Sequence, residues 1–203
     1  MTHPSTRLFI FFAPTFAWSW TCWLLAPVIK ADASFASSAL FFLGGFGPSL
    51  AAFAVVGMTG GRDGLRVWLA RCLQWRGYAL PAIQDRLGWR SASLVLGSIW
   101  GVWHLPLFLI AGSSQNQGSL LAFFALIVAA SVFYTWLFNR STDSLVPVLL
   151  LHTASNSWPS LVPILPSDEN QRPYLLVVAL VVTAAIWLLL RRDGQGLARG
   201  FVS

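Results

Sequence analysis

Trp75-Arg76-Gly77-Tyr78-Ala79-Leu80-Pro81, followed by Trp100-Gly101-Val102-Trp103-His104-Leu105-Pro106-Leu107-Phe108, opens and closes the stretch whose reading decides the fold. Its second half lies in an apolar run, residues 91–111, long enough to sit in a bilayer. There an ionisable imidazole is costly, and it is retained where it has a function. A second histidine, His152, lies in a later apolar run with Asn156 four residues on.

Composition agrees with a membrane protein. Of 203 residues, 56% are hydrophobic and 10% charged, and the mean hydropathy is +0.67. A soluble domain carries about 25% charged residues. The formal charge of +6 does not mark a nucleic-acid binder, because nearly every arginine falls in a loop between apolar runs, as membrane topology requires. Two cysteines, Cys22 and Cys72, make neither a disulfide framework nor a sulfur metal site.

A helix needs about 20 apolar residues to cross the hydrocarbon. Six segments come near that length: 8–29, 37–58, 91–111, 119–138, 144–165 and 173–190. The expected fold is therefore an all-α polytopic bundle of about six spans, one integral membrane domain over residues 1–203. The first run is too long for a signal-peptide core and reads as a retained span. Its Trp18, Trp20 and Trp23 are spaced to contact neighbouring helices, and Gly44-Gly45-Phe46-Gly47-Pro48 permits close approach and a kink. Between residues 59 and 90, arginines interleave with Leu65, Val67, Trp68, Leu69, Leu73 and Trp75, which predicts an amphipathic helix on the membrane surface. With both termini cytoplasmic, every basic residue except Lys30 and Arg172 falls inside. The fifth run is punctuated by Pro147, Pro159, Pro163 and Pro166 and should be irregular, as helices lining an enclosed cavity often are.

Trp100 and His104 share one helical face, as do His152 and Asn156. Two polar facets in one bundle can share a water, a metal or a hydrogen bond, and His104 with His152 are the candidate metal ligands. The plainer alternative is that each histidine ties helices together through a serine or carbonyl. Pro106 should break the helix near His104 by removing the bond to the Val102 carbonyl. Asp143 reads as a helix-start residue, and Trp100 and Trp103 as cavity wall. A hydrolytic zinc site ordinarily has three protein ligands and a carboxylate base. Here there are two histidines, no H-E-x-x-H helix and no glutamate in any span. Residues alone thus give a membrane bundle with a polar His/His/Asn cavity.

At these positions the chain resembles the CPBP (CAAX protease and bacteriocin-processing, or ABI) family of intramembrane endopeptidases, over about residues 40 to 160. Arg76-Gly77-Tyr78-Ala79-Leu80-Pro81, Trp100 to Phe108, and Asn139-Arg-Ser-Thr-Asp-Ser-Leu-Val-Pro147 leading into His152-Thr-Ala-Ser-Asn156 carry the resemblance. It implies catalytic roles for His104, His152, Asn156 and Arg76, from motifs of the forms F-x-x-x-H, with Trp100 replacing phenylalanine, H-x-x-x-N/D and Glu-Glu-x-x-x-Arg. In the last of these, Arg71 and Cys72 occupy the glutamate places. The leading glutamate is the residue thought to activate the attacking water, so the resemblance implies an endopeptidase impaired in its base. Relatives commonly have about eight spans, and Gly61 to Arg76 resembles a loop that normally precedes a further span, consistent with a lost block. The implied setting is a bacterial cytoplasmic membrane, with the lipid bilayer and a membrane-associated CAAX-like or bacteriocin-type peptide as partners, no nucleic acid, and zinc as the candidate cofactor. Two alternatives stand beside it: a non-catalytic protein for partner binding or bacteriocin self-protection, and a small proton-coupled transporter.

Overall fold

The computed structural model describes residues 4–29, 34–73, 79–111, 113–141, 144–157, 162, 164–167 and 170–191. Seven α-helices are seen: α1 (Pro4–Leu25), α2 (Ser34–Gly45), α3 (Gly47–Leu73), α4 (Ala79–Trp103), α5 (Leu120–Arg140), α6 (Val146–Ser157) and α7 (Arg172–Leu190). No strand occurs among the described residues. The apolar runs become helices because hydrocarbon offers the backbone no other partner.

Among the described residues, four stretches are long and apolar enough to cross a membrane: Leu8–Val28, Ala79–Leu109, Leu120–Arg140 and Arg172–Leu190. Phe35–Gly45 and Gly47–Met58, bent by 53° at the Gly-Phe-Gly-Pro break, form a candidate fifth. The run 144–165 is irregular, as its prolines led one to expect: among its described residues the helix is Val146–Ser157, whose 12 residues extend about 18 Å.

Hydrogen bonds at the helix ends sort those ends onto two opposite faces of the bundle. Gln171 Nε2 donates to the Gln117 carbonyl at 2.9 Å, placing the starts of α5 and α7 on one face of the bundle. Arg90 Nε and Nη2 donate to the Leu189 and Arg191 carbonyls, each at 2.8 Å, placing the end of α7 beside the start of the α4 span on the other. Gln84 and Asn139 exchange amide bonds of 3.0 and 3.1 Å, so α5 ends on that second face too. The segment after Arg140 must then return to the Gln117 face, where a Cβ on Gly118 would stand 2.8 Å from Pro166. The helical part of that segment is α6. Ala79 packs on the cluster of Phe11, Ala51, Ala52 and Val55, so the start of α1 also lies on the Arg90 face.

The polar stretch 59–90 is helical in two pieces, as the surface-helix expectation required in part. Gly61 (φ 58°, ψ −153°) breaks α3, and Gly88 (φ 71°, ψ 164°) breaks α4; both conformations are open to glycine and strained for other residues. Residues 62–73 therefore leave the span at an angle, with Asp63 and Arg66 in solvent 3.8 Å apart. The apolar side chains Leu65 and Val67 to Leu73, and Arg71 and Cys72 with them, lie outside the described side chains.

Packing is closest where side chains are smallest. Gly97 and Gly101 form a small-x-x-x-small seam on α4 against α5: a Cβ on Gly97 would come 2.9 Å from Val128 Cα, and one on Gly101 2.7 Å from the Phe124 ring. Gly44 and Gly47 lie against Trp23 and Ser19 of α1 in the same way. The tryptophans of α1 do more than fill space. Trp18 and Trp23 donate through Nε1 to the Leu43 and Phe41 carbonyls of α2, both at 2.9 Å, securing α2 on α1 across the kink.

Candidate active site

His104 sits where α4 stops. Pro106 has no N–H to offer the Val102 carbonyl, and the chain tightens into a 3₁₀ segment, Leu105–Leu109, with the Leu107 amide donating to the His104 carbonyl at 3.0 Å. That shift leaves the Trp103 carbonyl without its helical partner, and Trp20 Nε1 of α1 donates to it at 3.0 Å. The imidazole is half-buried among rings: Trp103 (centroid separation 4.7 Å), Phe123 (5.3 Å), Trp100 (5.7 Å) and Trp23 (6.3 Å). His104 Nδ1 donates to the Trp100 carbonyl at 2.8 Å, which fixes the proton on Nδ1 and leaves a lone pair on Nε2.

His152 and Asn156 come from successive turns of α6. The Asn156 amide Nδ2 donates to His152 Nε2 at 3.2 Å, so the i, i+4 pair does meet. On its other edge, His152 Nδ1 lies 3.3 Å from the hydroxyl of Tyr134 on α5, and that hydroxyl is 3.1 Å from Ser155 Oγ. Neither Tyr134 nor Ser155 was singled out in the sequence; a tyrosine in the middle of an apolar run, whose hydroxyl must find a partner, was the available signal.

Trp100 joins the two histidines. Its ring stands 5.7 Å from that of His104, 5.8 Å from that of His152 and 5.9 Å from Tyr134. His104 lies against Phe123 of α5, and His152 against Tyr134, eleven positions further along that helix. The structure thus brings both imidazoles onto one tryptophan at different depths. Beside them opens a cavity of about 360 Å³ between α1, α4, α5 and α6, walled by Phe11, Phe16, Leu96, Trp100, Trp103 and Phe138 and reached by Tyr134 and His152. It is almost wholly apolar, suited to a hydrocarbon group.

Arg76 lies outside the described residues, as does Asp143; at the start of α6 the described cap is Ser144 Oγ, which accepts from the Val146 amide at 3.3 Å. No carboxylate contacts either histidine among the described residues, and no group of three His, Cys, Asp or Glu comes together there. Two imidazoles fall short of the three protein ligands zinc ordinarily takes, so the described residues do not fit a zinc site and no step is assigned to one. What the arrangement offers is a lone pair on His104 Nε2, a His152 Nε2 already engaged by the Asn156 amide, and an apolar cavity.

Residues 73–158 match the family described as Rce1-like, type II CAAX prenyl endopeptidase, a segment that holds His104, His152 and Asn156 and begins just after Arg71 and Cys72. Residues 73–158 are thus similar to that family. The CAAX prenyl protease 2 of Methanococcus maripaludis is 32% identical to the chain over 90 residues, covering 41% of this chain and 33% of that protein. The chain thus spans about a third of the length of the curated relative it matches. No solved structure matches it. The CPBP resemblance therefore covers the part of the bundle that carries both histidines, while α1 and α7 complete the walls around it.

Proposed function

We propose that the chain is a CPBP-type intramembrane endopeptidase acting on membrane-associated, CAAX-like or bacteriocin-type peptides, with its hydrolytic step impaired by the loss of the glutamate pair. The observation that carries this is the pairing of His152 with Asn156 at the mouth of an apolar cavity that shares Trp100 with His104. An apolar cavity beside polar donors suits a substrate whose hydrocarbon part is buried while its peptide meets the imidazoles. In that reading the histidine Nε2 atoms hold and polarise the attacking water, and the Asn156 amide turns to the developing oxyanion. Arg71 and Cys72 supply no base, so water activation rests on imidazole alone. The face carrying Arg90, Arg140 and Arg191 is cytoplasmic in this proposal, by its excess of arginine.

The experiment is cleavage of a prenylated C-terminal peptide by the full chain in proteoliposomes. Slow cleavage that disappears on His104→Ala and on His152→Ala is expected; cleavage that survives both substitutions would overturn the assignment.

A second function is favoured by one observation, the absence of any carboxylate at the described site. The same cavity then holds a membrane-linked partner without cutting it, and the histidine variants lose activity in neither a cleavage nor a binding assay.

A further inference from the structure

We infer that Tyr134 is a positioning residue that, together with Ser155, holds His152 in the tautomer protonated at Nδ1. As a role in hydrolysis this rests on the endopeptidase proposal; as a statement about His152 it does not.

A proton count around the ring carries the inference. Ser155 Oγ donates to the His152 carbonyl at 2.9 Å, the bond an α-helical serine makes back along its own helix. That uses the only hydrogen on Ser155, so at 3.1 Å Ser155 Oγ accepts from Tyr134. The Tyr134 hydrogen is then also spent. Its oxygen can only accept from His152 Nδ1 at 3.3 Å, which places the imidazole proton on Nδ1.

The opposite edge leads to the same assignment independently, because His152 Nε2 is the acceptor from Asn156 Nδ2 at 3.2 Å. A neutral imidazole that accepts at Nε2 must donate at Nδ1. Four side chains on two helices thus close one directional chain of donors, from Asn156 through His152 and Tyr134 to Ser155 and the α6 backbone. His104 reaches the same state through a different partner, the Trp100 carbonyl.

The consequence is chemical. With Nδ1 protonated, Nε2 is the nitrogen that can take a proton from water or meet a polar substrate group, and it stands on the Asn156 side. The ring is held by α5 from one edge and by Trp100 across its face, so its direction is set before substrate arrives.

The test is nitrogen-15 NMR of the histidine-labelled full chain in nanodiscs, which distinguishes the two tautomers; the His152 signals are those lost in His152→Gln. The natural chain is expected to show His152 protonated at Nδ1. Tyr134→Phe removes the acceptor, and Ser155→Ala frees the tyrosine hydrogen to donate to Nδ1. Each should shift the tautomer ratio about five-fold towards Nε2–H, the effect of one net hydrogen bond, while the His104 signals stay in place and report an intact bundle. An unchanged ratio in Tyr134→Phe with His104 unmoved would overturn the inference. Should that variant fail to assemble, Ser155→Ala, at an exposed position on α6, carries the same test with the same two outcomes. Because the readout is a tautomer, it is decided whether or not any peptide is cleaved.

Discussion

Trp20 donates its indole hydrogen to the carbonyl of Trp103 at 3.0 Å, and so α1 holds the point where α4 gives way and His104 begins. The bond connects residues 83 positions apart in the chain. It meets a carbonyl that has lost its helical partner, and in hydrocarbon no water can take over that role. Trp20→Phe keeps an aromatic ring but removes the donor together with the pyrrole half of the indole. It should lower stability by about 1 kcal/mol, seen as an earlier thermal transition in detergent, and a melting curve that overlays the natural chain would remove α1 from the account of His104.

The α4 and α5 seam yields a graded prediction. A Cβ on Gly97 meets backbone, Val128 Cα at 2.9 Å, whereas one on Gly101 meets the Phe124 ring, which can turn. Gly97→Ala should therefore cost about 2–3 kcal/mol and Gly101→Ala about 1 kcal/mol, the ordinary range for overpacking. Equal melting temperatures for the two variants would show that the helices are free to separate at Gly97.

Arg90 secures the end of α7. It caps the Leu189 and Arg191 carbonyls and stacks on Trp89, with the guanidinium carbon 4.8 Å from the ring centroid. Arg90→Gln should open the last turn of α7, read as faster amide hydrogen exchange at residues 187–191 with the middle of the helix unchanged. Exchange that is unaltered there would leave α7 held by its apolar contacts with α5 alone.

Much of this architecture was legible in the chain because membrane helices announce themselves through apolar runs and their breaks through glycine and proline. The kink at Gly44 to Pro48, the break after His104 and the irregular fifth run follow directly from residues that cannot continue a helix. The His152 and Asn156 pair followed from helical spacing. What was not legible depends on which helices become neighbours. Nothing near Tyr134 in sequence says that α6 will set His152 against it, and nothing near Trp20 says that a distant carbonyl will lack a partner. The Gly97 and Gly101 spacing was readable as a packing seam, but which helix it would face was not. The end of α6 at Ser157 was legible too, because Pro159 cannot continue the helix.

We propose an endopeptidase scaffold without its glutamate pair, and substitutions at positions 71 and 72 test that proposal. The Arg71→Glu, Cys72→Glu double variant should be compared with the natural chain in the same proteoliposomes, on the same prenylated peptide. The account predicts at least a hundred-fold gain in cleavage rate for the variant, the scale of a restored general base, and loss of that gain when His152→Ala is added. A natural chain that already cleaves as fast as the variant would contradict it.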